Sequence, residues 1–136
     1  MALKVSIFSF GYNKSGIPKD ESGNGGGFIF DCRFMNNPGR LPDFKFKTGK
    51  DDEVIQFIET RTVMPDFLQN VYKISEMAVE NFLQRNFSDL LIGFGCTGGQ
   101  HRSVYASEKL AHNLKKKYPE IKVEIKHREL GLTETF

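Results

Sequence analysis

The sequence has little cysteine and no long apolar run, and each absence excludes a class of protein. Cys32 and Cys96 are the only cysteines among 136 residues, too few for the disulfide framework of a small secreted domain. No apolar stretch approaches the roughly 20 residues of a membrane-spanning helix. The first ten residues carry one positive charge, Lys4, and alternate in polarity, unlike a signal peptide. We therefore expect a cytoplasmic protein with no membrane contact.

The charge is nearly balanced, with a formal net value of +2. This is too small to predict binding to nucleic acid or membrane by itself, so any basic surface must come from local clustering. A chain of this length, with thirteen phenylalanines, fits one domain with a single core over residues 1–136.

The order of apolar segments predicts an α/β fold. Strands are expected at Leu3–Phe10, Phe28–Asp31, Leu90–Gly95 and Ile121–Ile125, and helices from Asp51, over Met64–Phe87 and over Ser103–Lys117. This alternation indicates a central, mainly parallel sheet of about four strands flanked by helices. Ligands of such sheets bind beyond the carboxyl ends of the strands.

The segment after the third predicted strand has the composition of an anion-binding loop. Gly98 and Gly99 allow backbone N–H groups to approach a ligand, and a helix N-terminus follows. Thr97 and Ser103 add hydroxyl groups. Arg102 offers a planar set of donors suited to phosphate, and His101 donates or accepts. The simpler alternative is a tight turn with a solvated Arg102.

The same loop also fits a cysteine-dependent phosphatase. Cys96 and Arg102 have the Cys-x5-Arg spacing, so a Cys96 thiolate would attack a phosphate ester, with Asp31 or Asp43 as general acid. Against this stands Gly95, at a position where the usual phosphatase loop has histidine. A buried, unreactive Cys96 is the alternative, since free cysteine is commonly buried.

A basic cluster near the C-terminus suggests a third function. Lys115, Lys116, Lys117, Lys126 and Arg128 would form one positive patch able to contact an RNA backbone. The alternative is that lysines at a helix C-terminus complement the dipole, while alternating lysines mark a solvated strand face.

Several short motifs occur in a fixed order along the chain. They include Ser9-Phe10-Gly11-Tyr12, Phe30-Asp31-Cys32-Arg33-Phe34, Asn37-Pro38, Thr48-Gly49, Gly95-Cys96-Thr97-Gly98-Gly99-Gln100-His101-Arg102-Ser103-Val104 and His127-Arg128-Glu129-Leu130. Together they resemble a known family, the C-terminal domain of the RNase adapter protein RapZ. The resemblance implies a domain that binds a phosphorylated amino sugar and small regulatory RNA without turnover. It covers nearly the whole chain.

The resemblance also assigns the site. It places the phosphosugar pocket on Thr97, Gly98, Gly99, His101 and Arg102, with two further residues beside it, Asp31 and Arg33. Gly39 departs from the family pattern, which has an aromatic residue or histidine there. No G-x4-G-K-[ST] string occurs, so this chain is expected to be a stand-alone relative without the family's N-terminal nucleotide-binding domain.

Together these observations favour a non-catalytic binding or sensor domain for a phosphorylated small molecule, most simply a sugar phosphate. RNA or a protein partner is a further expected ligand. We expect neither a cofactor nor a metal. In the sensor hypothesis, ligand binding orders the glycine-rich segment Ser22–Gly27.

Overall fold

The computed structural model describes residues 2–136 and contains five strands. They are β1 (Lys4–Gly11), β2 (Gly27–Asp31), β3 (Asp89–Cys96), β4 (Lys122–His127) and β5 (Leu132–Thr135). Their order across the sheet is β2-β3-β1-β4-β5. The first four strands run parallel, and β5 pairs antiparallel with β4. The predicted α/β class with a mainly parallel sheet is confirmed.

The helices are α1 (Asp52–Arg61), α2 (Met64–Gln84) and α3 (Arg102–Lys117), and two short 3-10 helices lie at Pro38–Arg40 and Pro42–Phe44. The sequence explains the start of α2, because Pro65 occupies a first-turn position where its missing N–H costs nothing. α3 ends in three lysines, which complement the negative end of its dipole.

Strand order explains why the helices share one face of the sheet. The connections β2 to β3 and β3 to β4 move in the same direction across the sheet, whereas β1 to β2 moves in the opposite direction. With right-handed crossovers, the first two connections lie on one face and the third on the other. The helices are in the first two connections, and the third is the loop over residues 12–26.

The core lies between the sheet and the helices. Val5 and Ile7 of β1, together with Leu3 just before it, pack in one cluster with Ile58 of α1 and Leu110 of α3. These side chains are at most 1% exposed. The opposite face of the sheet is less covered, and Ser6 and Phe8 line a groove of about 730 Å³ there.

The fifth strand was not predicted from the sequence. After β4 the chain turns at Gly131, which has a φ of +62°, and Leu132–Thr135 returns along the edge of the sheet. This strand is only four residues long and is mostly exposed, so it carries almost no hydrophobic periodicity.

None of the helices within residues 2–136 has the length and apolarity required to cross a membrane.

Candidate functional site

A cavity of about 430 Å³ opens where β2 and β3 end. This is the edge at which parallel α/β sheets hold ligands, and the volume is usual for a small-molecule site. Its polar lining consists of Arg33, Asn36, Asn37, Arg40, Thr97 and Arg102, and its apolar lining includes Phe34, Leu41 and Phe57. Three lining residues are arginines and none is a carboxylate, so the cavity is cationic.

Arg102 is the most buried polar residue of this cavity, at 3% exposed. Its Nη1 donates to the backbone carbonyl oxygens of Met35 at 2.8 Å and Arg33 at 3.1 Å. These bonds fix the guanidinium against the segment that follows β2. Its Nε is buried and has no hydrogen-bond partner within residues 2–136. A buried donor without a partner is costly, and this one belongs to a residue of the cavity lining.

Arg33 is held by Asp31 at the mouth of the cavity. The guanidinium contacts both carboxylate oxygens at 2.6 to 3.0 Å, and it lies 3.7 Å from the centroid of the Tyr12 ring. The hydrogen bonds from Arg33 lower the pKa of Asp31. Asp31 is therefore ionised at neutral pH and neutralises one of the three arginines.

The loop after β3 is packed backbone to backbone. Gly99 has a φ of +69°, and a Cβ there would lie 2.5 Å from the Gly11 nitrogen. Glu129 holds this junction by accepting hydrogen bonds from the N–H groups of Gly11 at 3.0 Å and Ser15 at 3.1 Å, and from the Ser15 hydroxyl. Although burial opposes it, these hydrogen bonds lower the pKa of Glu129.

His101 and Gln100 attach the loop to the chain before α1. The Nε2 of His101 donates to the Phe44 carbonyl oxygen at 2.9 Å. The Gln100 amide donates to the carbonyl oxygens of Lys45 at 2.8 Å and Lys47 at 2.6 Å. Burial lowers the pKa of His101, so the imidazole is neutral at pH 7 and its Nε2 is already engaged.

The first turn of α3 is free of side-chain caps. His101 is the N-cap residue and makes no capping hydrogen bond, and no acidic residue lies in the first turn. Gly49 packs here, because a Cβ at Gly49 would clash with the His101 carbonyl and lie 2.7 Å from the Tyr105 nitrogen. The positive end of the helix dipole therefore adds to the charge of Arg102.

Cys96 ends β3 beneath the loop and does not line the cavity. Its side chain is 3% exposed and donates to the Ser103 hydroxyl at 3.1 Å. Ser103 is fully buried and faces this thiol. Burial raises the pKa of the neighbouring Cys32 thiol. Both cysteines lie in the core cluster.

The structure brings part of the predicted ligand set together. Thr97, Arg33 and Arg102 line the cavity, and Asp31 pairs with Arg33 at its mouth. The other predicted ligand residues, Gly98, Gly99, His101 and Ser103, belong to the loop and to the start of α3 but are not in the cavity lining. Their roles in binding stay predictions.

Sequence reasoning missed a whole wall of the cavity. Arg40 and Phe57 were not singled out, because they lie on segments with no phosphate-binding pattern. The Asn37-Pro38 motif was the available signal: the Asn37 side chain accepts from the Gly39 N–H at 2.8 Å and starts the 3-10 helix that carries Arg40. Gly39 lies close to both side chains, since a Cβ there would be 3.0 Å from the Asn37 Oδ1 and 3.2 Å from the His101 ring.

The five basic residues predicted to bind RNA do not form one patch. Lys117 pairs with Glu76 at 2.7 Å, and Lys115 donates to the Ile121 carbonyl oxygen at 2.6 Å, beside the start of β4. Lys126 and Arg128 lie at the other end of β4 and line the groove on the open face. Lys116 is exposed on α3. RNA binding by these residues stays a prediction.

A second ionisable cluster lies between α3 and the β4–β5 edge. His127 is buried, with Nδ1 bonded to the Ser9 hydroxyl at 2.6 Å and Nε2 to Glu108 at 2.7 Å. The Lys50 ammonium lies 3.2 Å from Glu108 and 2.6 Å from Glu134. Donor atoms of Glu108, His127 and Glu134 lie within 4.8 Å of one another, but Lys50 already supplies the cation.

The fold and this site define the class of the molecule: an α/β domain with its helices on one face of a mainly parallel sheet and a cationic cavity at the strand ends. Residues 3–131 match the profile of the family described as the RapZ C-terminal domain. The chain belongs to this family. The α/β fold predicted from the order of apolar segments and the family predicted from the short motifs are both confirmed.

Individual relatives carry the name nucleotide-binding protein. The chain is 42% identical over 129 residues to one from Endomicrobium trichonymphae, covering 94% of this chain and 42% of the relative. It is 38% identical over 128 residues to one from Thermotoga neapolitana, covering 94% and 43%. The chain therefore spans less than half the length of these relatives, and their name describes the longer proteins.

Proposed function

We propose that this domain binds a phosphorylated small molecule, a sugar phosphate, without chemical turnover. The observation that carries this proposal is the buried Arg102 Nε without a partner, on the wall of a cavity that contains no carboxylate. A phosphate there would accept from Arg102 and from Thr97, close to the uncapped start of α3.

The rest of the cavity suits the sugar. Asn36 and Asn37 line it and offer amide groups to hydroxyls, while Phe34 and Leu41 present apolar surface to the C–H groups of a sugar ring. His101 has a structural contribution in this arrangement, because its engaged Nε2 fixes the loop to Phe44.

The same geometry supports binding over phosphatase chemistry. A phosphate in the cavity would not meet the Cys96 thiol, which lies beneath the loop. Asp31 is ionised through its pairing with Arg33, so it has no proton to give to a leaving group.

The direct test is ligand-induced stabilisation measured by thermal shift and calorimetry. Glucosamine 6-phosphate is compared with glucosamine and with inorganic phosphate, in the wild type and in Arg102→Gln. We expect stabilisation by the phosphosugar that exceeds both controls and is lost in Arg102→Gln. A phosphosugar effect that persists in Arg102→Gln would place binding elsewhere.

A second candidate function is RNA binding, and one observation favours it. Lys126 and Arg128 are exposed and form no ion pair within residues 2–136, and the Lys126 ammonium lies 6.0 Å from the Phe8 ring in the same groove. Asp20, Glu21 and Asp89 also line this groove, which weakens its attraction for phosphates. Affinity that falls with salt and is reduced in Lys126→Gln would support RNA binding, and affinity indifferent to salt would exclude it.

A further inference from the structure

The charge of the cavity exceeds what its protein partners balance. Arg33, Arg40 and Arg102 line it, and Asp31 is the carboxylate paired with one of them. Since Arg33 holds both Asp31 oxygens, the positive charges of Arg40 and Arg102 are left for a ligand.

These two arginines differ in how they are held. Arg102 is buried and fixed to two backbone carbonyl oxygens, so it marks one position for an anionic group. Arg40 lies on the 3-10 helix Pro38–Arg40, on a separate segment of the wall, next to Leu41. Its side chain is exposed and has no ion pair or hydrogen bond within residues 2–136.

The backbone that carries Arg40 is fixed by hydrogen bonds, although the Arg40 side chain has no protein partner within residues 2–136. The Asn37 side chain caps the 3-10 helix, and the Arg40 N–H donates to the Asn37 carbonyl oxygen at 3.2 Å. Gly39 packs against the ring of His101, the N-cap residue of α3, and this contact connects the 3-10 helix to the helix that begins at Arg102. The two arginines are therefore presented by segments in contact with each other.

We propose that the ligand carries two separate anionic groups, one held by Arg102 and the other by Arg40. The chemical class is a small phosphorylated molecule with a second phosphate or a carboxylate. The apolar surface of Phe34 and Leu41 then contacts the portion between the two groups. This inference rests on the proposed function, because it concerns the same cavity.

The test compares fructose 1,6-bisphosphate with fructose 6-phosphate by calorimetry. In the wild type, the bisphosphate binds more tightly by about tenfold or more, which is the effect of one added charge-assisted contact. In Arg40→Gln this ratio falls to near one, while affinity for the monophosphate is retained. Arg61→Gln removes an exposed arginine from the end of α1, outside the cavity lining, and leaves the ratio unchanged.

Two outcomes overturn the inference while sparing the proposed function. One is equal affinity for the two fructose phosphates in the wild type, and the other is a ratio that Arg40→Gln does not change. If neither compound binds in a manner sensitive to Arg102→Gln, the proposed function fails as well. Because Arg40 is exposed, we expect Arg40→Gln to fold as the wild type does. An unfolding curve that matches that of the wild type checks this.

Discussion

The Nη1 of Arg102 lies 2.8 Å from the carbonyl oxygen of Met35, and this bond joins the loop after β3 to the segment after β2. One side chain thus contributes both to the cavity and to the connection between two strand ends. The Nη1 atom makes these contacts to backbone carbonyl groups, whereas the Nε atom has no partner within residues 2–136.

Arg102→Lys keeps the positive charge but replaces the planar guanidinium by a single ammonium nitrogen. That nitrogen cannot both donate to the two carbonyl oxygens and occupy the position of the Nε atom. We expect the free energy of unfolding to fall by about 1 to 3 kcal/mol, the usual cost of leaving buried polar groups unsatisfied. Urea denaturation measures this. Arg61→Lys makes the same chemical change at an exposed position and should alter stability very little. Equal losses in both variants would contradict the role assigned to Arg102.

Gly98 and Gly99 are adjacent but should respond differently to alanine. At Gly99 the positive φ and the short approach to Gly11 make a Cβ costly, so Gly99→Ala should lose about 2 kcal/mol or more. At Gly98 a Cβ meets nothing within 4 Å, so Gly98→Ala should stay within about 0.5 kcal/mol of the wild type. Chemical denaturation of the two variants provides the comparison, and similar stabilities would refute the packing described for the loop.

Cys96→Ser tests the catalytic alternative. Because the thiol is buried and bonded to Ser103, we expect no hydrolysis of an aryl phosphate by the wild type and no change in phosphosugar stabilisation in Cys96→Ser. A steady-state phosphatase assay run beside the thermal shift measures both. Hydrolysis that Cys96→Ser abolishes would establish the phosphatase hypothesis instead.

The pH dependence of stability should contain a contribution from Glu108. Burial opposes ionisation, but hydrogen bonds from His127 and the nearby Lys50 lower the pKa of Glu108 from 4.5 to about 2. Its stabilising effect is therefore complete above pH 4.5 and is lost as the pH falls from there towards 2. Glu108→Gln should be less stable at pH 7, and its stability should change less with pH over this acidic range.

His101 provides the internal control for that experiment. Burial holds its pKa below the ordinary value of 6.5, so protonation destabilises the fold as the pH falls below 6.5. Glu108→Gln should still lose stability as the pH falls below 6.5, because Glu108 faces Lys50, His127 and Glu134 rather than His101. Thermal unfolding followed from about pH 2 to about pH 8 covers the titration ranges of both groups.

The sequence was sufficient to predict those strands and helices in which the hydrophobic periodicity is strong. The buried strands β1, β3 and β4 and the long helix α2 were predicted within a few residues, because each presents a regular apolar pattern to one core. β5 was missed because an exposed edge strand has little such pattern.

The candidate site was predictable only where one contiguous segment carries it. The glycines and Arg102 follow β3 directly, so their proximity is local. Arg40 reaches the cavity through the packing of Gly39 on His101, a contact between segments about 60 residues apart that no local pattern encodes. The charge cluster of Lys50, Glu108, His127 and Glu134 was missed for the same reason.

The predicted sensor segment also depends on tertiary position. Ser22–Gly27 lies at the amino end of β2, where the Asn24 amide donates to the Asp89 carbonyl oxygen at 3.1 Å. The cavity is at the carboxyl ends of β2 and β3. Ordering of Ser22–Gly27 by a ligand therefore requires transmission along the sheet, and hydrogen exchange in that segment measures it.

The two hydrogen bonds of the Gln100 side chain make residue 46 a suitable position for a fluorescent reporter. They hold the carbonyl groups on either side of Phe46, whose ring is 89% exposed. The chain contains no tryptophan, so Phe46→Trp would introduce a single tryptophan, which can be excited apart from the tyrosines, beside the loop and outside the core. Its emission would follow events at the loop in real time, and the kinetics of ligand entry and exit would become measurable without a label.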